Sequence, residues 1–206
     1  MMRAERASID DMFEVEARKN VVVLHGVSWA TYVQLDKERG ERSWPRLTYL
    51  DGELEIVSPG PAREVSEWLI TRFVEAYAGL NGLQFNSVGS MTLRDRRRTV
   101  GAEADEAYYV GRVDLRRKPD LAIEVTVTSG GVHKLAAYHR LGVREVWFWK
   151  AGALAIYERR ARSYALLPKS GLFPRLDLDD LAARVRTASL DDMLGAIEAY
   201  RAWLQR

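Results

Sequence analysis

The sequence predicts a mixed α/β fold, a central sheet of parallel and antiparallel strands flanked by helices, with a helix and a hairpin towards its N-terminal side. Three features carry that reading. LAIEVTV (121–127) is apolar almost throughout, as a strand covered on both faces is. After it come Gly130-Gly131, a helical stretch to about Leu141, Gly142 and the strand-like REVWFW (144–149). A strand, crossover helix and strand in that order pair in parallel with a right-handed crossover. The third feature is Asp51-Gly52 between RLTYL (46–50) and ELEIV (53–57), the dipeptide favoured in two-residue hairpin turns.

The remaining elements follow along the chain. In SWATYVQLDKERG, Ser28 caps a helix and Gly40 suits its left-handed exit. Ser58-Pro59-Gly60-Pro61 opens a long amphipathic helix to about Ala78, with Val65, Leu69, Phe73, Ala76 and Leu80 as its apolar stripe and Gly79 and Gly82 at its end. LQFNSV and EAYYV read as strands, LAIYERR and SYALLP as an antiparallel pair, and about Leu190 to Leu204 as a closing helix.

Composition bounds the function. With 206 residues, 47% of them hydrophobic, residues 1–206 are expected to form one domain. A formal charge of +2 gives no whole-molecule field, so affinity for a polyanion must be local. The absence of cysteine excludes disulfides and thiolate metal sites, and His25, His133 and His139 are not spaced as a ligand set. No apolar run spans a bilayer and MMRAERASIDD lacks a secretion signal's apolar core, so the chain reads as a cytoplasmic protein with no membrane association.

Candidate chemistry concentrates in Glu103, Asp105, Asp120, Glu124 and Lys134. Glu124 interrupts the most strand-like stretch, and an unpaired carboxylate inside a buried strand costs several kcal/mol. Strand alternation puts Glu103, Asp105 and Ala107 on one side of GAEADEAYYV, and Asp120, Ala122, Glu124 and Thr126 on one face of the next strand. Pairing those faces brings Asp105 and Glu124 together. Two such carboxylates suit a hard divalent ion, Mg2+ or Mn2+, and with a nearby ammonium they suit phosphodiester hydrolysis. Lys134, in the first turn of the following helix, is the nearest cation downstream.

DGELEIVSPGP, EADEAYY, PDLAIEVTVTS and then a lysine with AYHRLGVREVWFW together resemble the Uma-two family of endonucleases, a branch of the PD-(D/E)XK superfamily. The resemblance covers about residues 45–160. It implies a restriction-endonuclease-like core, a metal-dependent nuclease activity and DNA as the substrate. Asp105 matches the motif aspartate, Glu124 the glutamate and Lys134 a lysine displaced onto the following helix; Glu64 is the implied auxiliary ligand on the long helix. Ala104 stands where the family often has proline, and Val65 where many members have histidine. Thr126, in the usual lysine place, follows the family's displaced-lysine pattern.

Plainer readings stand beside these. Glu124 can be neutralised by an arginine, Asp120 after Pro119 can organise the strand start or join as a metal ligand, and a helix lysine can simply be solvated. Arg94, Arg96, Arg97 and Arg98, and Arg112, Arg116, Arg117 and Lys118, are either phosphate-binding clusters or solvated loops. Ser129-Gly130-Gly131 can cradle an anion or cap a helix, and Trp147 and Trp149 read as core. Rival functions are a nuclease-fold nucleic-acid-binding module without turnover and an oligomeric interaction protein, with a homodimer compatible with any of them.

Overall fold

In the computed structural model, residues 21–42, 44–58, 60–125 and 134–206 are described. The elements are β1 (Val21–Leu24), α1 (Trp29–Arg39), β2 (Arg46–Leu50), β3 (Glu53–Val57), α2 (Pro61–Leu80), β4 (Phe85–Ser87), β5 (Met91–Asp95), a 3-10 turn (Arg96–Arg98), β6 (Val100–Ala104), β7 (Glu106–Val110), β8 (Leu121–Val125), α3 (Lys134–Leu141), β9 (Glu145–Lys150), β10 (Ala153–Arg159), β11 (Tyr164–Leu167), α4 (Leu178–Thr187) and α5 (Met193–Leu204). The strands form two sheets. One is antiparallel in the order β1-β3-β2-β6-β5; the other runs β11-β10-β9-β8-β7-β4, with β8 and β9 parallel and its other neighbours antiparallel.

The expected single central sheet is therefore divided, and the division falls at Asp105. GAEADEAYYV reads as one continuous strand, yet β6 ends at Ala104 in the first sheet and β7 starts at Glu106 in the second. The alternation predicted for the next strand holds. Leu121, Ile123 and Val125 join one hydrophobic core with Trp147 and Trp149, while Ala122 faces a different core with Ala104, Ala107 and Tyr138. The first core lies under α2, α4 and α5; the second is closed by α3, packed between the sheets; Tyr32 of α1 caps a third with Leu47, Tyr49 and Leu54. Trp147 and Trp149 are thus core residues.

Local chemistry sets the boundaries. Ser28 Oγ accepts the Thr31 N–H at 3.0 Å and Gly40 leaves α1 at φ 65°, as read from the sequence. Asp51 and Gly52 both have positive φ in the β2–β3 turn. The strands β1 and β5 and the helix α4 escape the sequence reading. For α4 a signal exists: Asp177 accepts the Asp179 and Asp180 N–H groups, ahead of Leu178, Leu181, Ala182 and Val185 at helical spacing. The last helix starts at Met193 rather than near Leu190, because Asp192 caps it through the Gly195 N–H. The Gly130-Gly131 helix start and Thr126 lie outside the described residues. Among the described residues no helix is long and apolar enough to cross a membrane.

One buried acid is purely architectural. Glu145 opens β9 with no exposed surface and accepts four donors: Trp147 Nε1 at 2.6 Å, Ser170 Oγ, and the N–H groups of Gly171 at 3.0 Å and Leu172 at 3.3 Å. It ties the 170–172 loop to the central strands. Glu145→Ala strands these donors at once, and chemical denaturation is expected to show a loss of roughly 3 kcal/mol or more, since each buried orphan costs ~1–3 kcal/mol.

Candidate functional site

Asp105 sits at the bend between the sheets, where the backbone leaves one ladder before joining the next. One step beyond the Glu106↔Ile123 pair of β7 and β8, the register brings Asp105 abreast of Glu124. Asp105 Oδ2 accepts the Val125 N–H at 2.7 Å. Both carboxylates are fully buried. The two acids therefore converge, as the strand faces require.

Each is compensated differently. Asp105 Oδ1 receives Arg63 Nη2 from the first turn of α2 and lies 3.2 Å from Arg46 Nε of β2. Arg46 also donates through Nη1 to the Ala104 carbonyl at 2.5 Å, which fixes its guanidinium across the bend. The Trp44 ring lies 4.6 Å from the Arg46 guanidinium and 5.6 Å from that of Arg63, covering both cations. Burial works to raise the Asp105 pKa, but the charges of Arg63, Arg46 and Lys134 together with the Val125 N–H outweigh it and hold the group below the usual carboxylate range.

Glu124 takes its partners from α3. Lys134 Nζ is 2.6 Å from Oε2, and the Tyr138 hydroxyl donates to Oε1. Lys134 and Tyr138 are one helical turn apart, so a single face of α3 presents both. Burial pushes the Glu124 pKa up; the Asp105 charge adds to this and Lys134 opposes it. Burial and the Glu124 charge likewise raise the Tyr138 hydroxyl well above its ordinary value, so it stays a donor.

Two further acids border the pair. Glu67, on α2, lies 3.6 Å from Arg46 Nη2, and its buried Oε2 has no hydrogen-bond partner. Burial, then the Asp105 charge, pushes its pKa up to about 8. Glu55, on β3, is buried and raised for similar reasons, with Lys134 opposing.

Of the predicted residues, the fold gathers Asp105, Glu124 and Lys134 and leaves others out. Glu64 is exposed on the first turn of α2, and Glu67 turns towards Asp105 instead. Helical spacing sets Glu67 nearly opposite the predicted apolar stripe, but α2 buries a broader face, including Arg63, Ser66, Ile70 and Val74, and the half-buried Glu67 borders it. Asp120 is at the far end of β8, accepting the Val110 N–H and Arg117 Nη1, both at 2.8 Å, so it organises the strand start. Glu103 pairs with Arg39 at 2.6 Å beneath α1. Arg116 pairs with Asp114 and Arg117 with Asp120, Lys118 is half-buried, and Arg96, Arg97 and Arg98 are exposed. His25 is exposed beside Glu53, His139 meets the Arg160 carbonyl, and His133 lies outside the described residues. Sequence reasoning missed Arg46, Arg63, Trp44, Tyr138 and Glu55. Only Tyr138 carried a local signal, its position one turn after Lys134.

Among the described residues, no group of three or more His, Cys, Asp and Glu side chains has the spacing of a preformed metal cage. Glu124 and Glu67 are nevertheless hard-oxygen donors pushed towards protonation by burial and by the Asp105 charge, a displacement that a divalent cation opposes, and Glu67 Oε2, 3.6 Å from Arg46 Nη2, has no hydrogen-bond partner. In chemistry the donor set fits such an ion. A family model described as "Uma2: Putative restriction endonuclease" matches residues 29–189. No curated protein matches the chain.

Glu67 gives the site a pH signature. Its folded pKa lies above the unfolded value, so the folded state holds the proton more tightly and stability falls as pH rises from about 5 to 8. Urea denaturation in EDTA at several pH values is expected to show a shallower decline for Glu67→Gln, which therefore gains on the parent protein towards pH 8.

Proposed function

From the premise that the chain belongs to the Uma2 family, we propose that it is a divalent-metal-dependent endonuclease hydrolysing phosphodiester bonds, with DNA as its substrate. The observation that carries this reading is the convergence of Asp105, Glu124 and Lys134 from three separate elements at one buried corner. Asp105 and Glu124 hold the ion, Mg2+ or Mn2+, with Glu67 beside them in the place first given to Glu64. When bound, the ion lowers the pKa of its water and offsets charge on the phosphoryl oxygens.

The chain's own groups do the rest. Lys134 places an ammonium next to Glu124, where it orients the attacking water or stabilises charge building on the phosphorane. Tyr138 fixes the Glu124 carboxylate from the other side, and the apolar floor of Ala104, Ala107 and Ala122 keeps the local dielectric low so that these charges act strongly. Arg63 and Arg46 keep Asp105 ionised.

A second reading has its own support. Both Asp105 oxygens are already engaged, Oδ1 by two arginines and Oδ2 by the Val125 N–H. Ion binding must displace part of this set, and a nuclease-fold module that binds nucleic acid without cutting it would leave the set intact.

Plasmid nicking separates the two. With Mg2+ the parent protein is expected to nick and EDTA to abolish nicking, while Asp105→Ala and Glu124→Ala each slow it at least ~100-fold, the scale of losing a transition-state charge contact. Equal nicking by all three proteins rejects the assignment. Metal-insensitive binding without nicking by the parent selects the non-cutting module.

A further inference from the structure

The flank of α3 turned away from Glu124 lines a second, oppositely charged feature. Lys134 and Tyr138 face the acids; His139 and Arg140, roughly 100° or more further round the helix at ~100° per residue, border a cleft of about 590 Å³. Arg98, Arg159, Arg162 and Tyr164 share its wall with Leu135, Ala136 and Ser163. These residues come from three separated stretches of chain: the turn after β5, α3 and the turn joining β10 to β11.

The cleft is built rather than accidental. Arg98 Nη1 donates to the Arg140 carbonyl at 2.5 Å and Arg140 Nη1 to the Arg98 carbonyl at 3.1 Å, so each holds the other in place. Arg159 Nε donates to the His139 carbonyl at 3.2 Å, and His139 stands edge-on to Tyr164 with ring centres 5.8 Å apart. Acids partly offset two of the arginines: Asp51 meets Arg140 at 2.5 Å and Asp95 meets Arg98 at 3.4 Å. Arg159 and Arg162 are exposed and have no acidic partner among the described residues. Like charges brought into one concavity repel unless an anion joins them.

We propose that this cleft grips the phosphodiester backbone of a nucleic-acid strand. It rests on the nuclease reading and deepens it: the gripped phosphates lie about one helix diameter, ~10 Å, from Glu124 across α3. Of the two basic runs in the sequence, the one around residues 112–118 has Arg116 and Arg117 paired with Asp114 and Asp120, whereas Arg98 opens onto this cleft. Arginine's planar fork suits phosphate oxygens, and such contacts are independent of base sequence.

Fluorescence anisotropy with a labelled oligonucleotide and its duplex, in EDTA across a salt series, tests it on the full chain. The double substitution Arg159→Ala with Arg162→Ala is expected to weaken binding about tenfold near 0.1 M salt and to make the slope of log affinity against log salt shallower by about 2. Arg201→Ala, an exposed arginine on α5, is expected to leave both unchanged. Unchanged affinity and slope in the double variant overturn the proposal. So does a parent protein that ignores both DNA forms, whatever its affinity for phosphatidylserine vesicles. The readout is independent of cleavage: loss of nicking with cleft binding retained sinks the catalytic reading alone, and nicking with cleft-independent binding sinks this one alone.

Discussion

A carboxylate without solvent contact must be compensated in full, and Asp105 is compensated from three directions. The Val125 N–H reaches it from β8, Arg46 from β2 and Arg63 from α2. Those elements belong to the second sheet, the first sheet and the long helix, respectively. One buried anion therefore fixes the junction of all three, and the geometry of the candidate site is a by-product of that junction. Removing one side of a buried pair leaves an uncompensated charge, which commonly costs ~3–5 kcal/mol, so the arrangement is held far more firmly than a surface ion pair.

The neighbouring acids are driven apart by their surroundings. Asp105, facing guanidinium groups, is held ionised; Glu124, fully buried and answered by only one ammonium and the Tyr138 O–H, is pushed up by that burial. Glu67 is displaced in the same direction, by burial and then by the negative charge of Asp105. Carboxyls whose environments separate their proton affinities are the arrangement from which acid, base and ligand roles are drawn. It also makes the corner responsive to any added cation, whose charge reverses the direction in which Glu124 and Glu67 are displaced.

The helix α3 links the two electrostatic features. Its eight residues carry Lys134 and Tyr138 on one flank, Ala137 and Leu141 in the core, and His139 and Arg140 on the other flank. The position of this helix between the sheets decides both where the ammonium meets Glu124 and where the basic cleft opens. Its apolar side shares a core with Ala102, Ala104 and Val146, which anchors both placements.

Periodicity and turn chemistry made much of the architecture readable from residues alone: the Ser28 cap, the Asp51-Gly52 hairpin, the parallel β8–α3–β9 unit and the two faces of LAIEV all follow from short-range rules. The meeting of Asp105 with Glu124 was legible for the same reason, because strand alternation is local. What residues alone could not reveal is who answers those charges. Arg46 and Arg63 lie 59 and 42 positions before Asp105 in sequence, and nothing in their neighbourhood marks them off from other arginines; only the break of the strand at Asp105, a consequence of packing two sheets against α3, draws them in. Glu67 rather than Glu64 lies towards Asp105 because of which side α2 turns to the packed sheets, and the cleft of Arg98, Arg140, Arg159 and Arg162 exists because separated segments converge. Long-range compensation of charge is a property of the assembled chain, and no window along the sequence contains it.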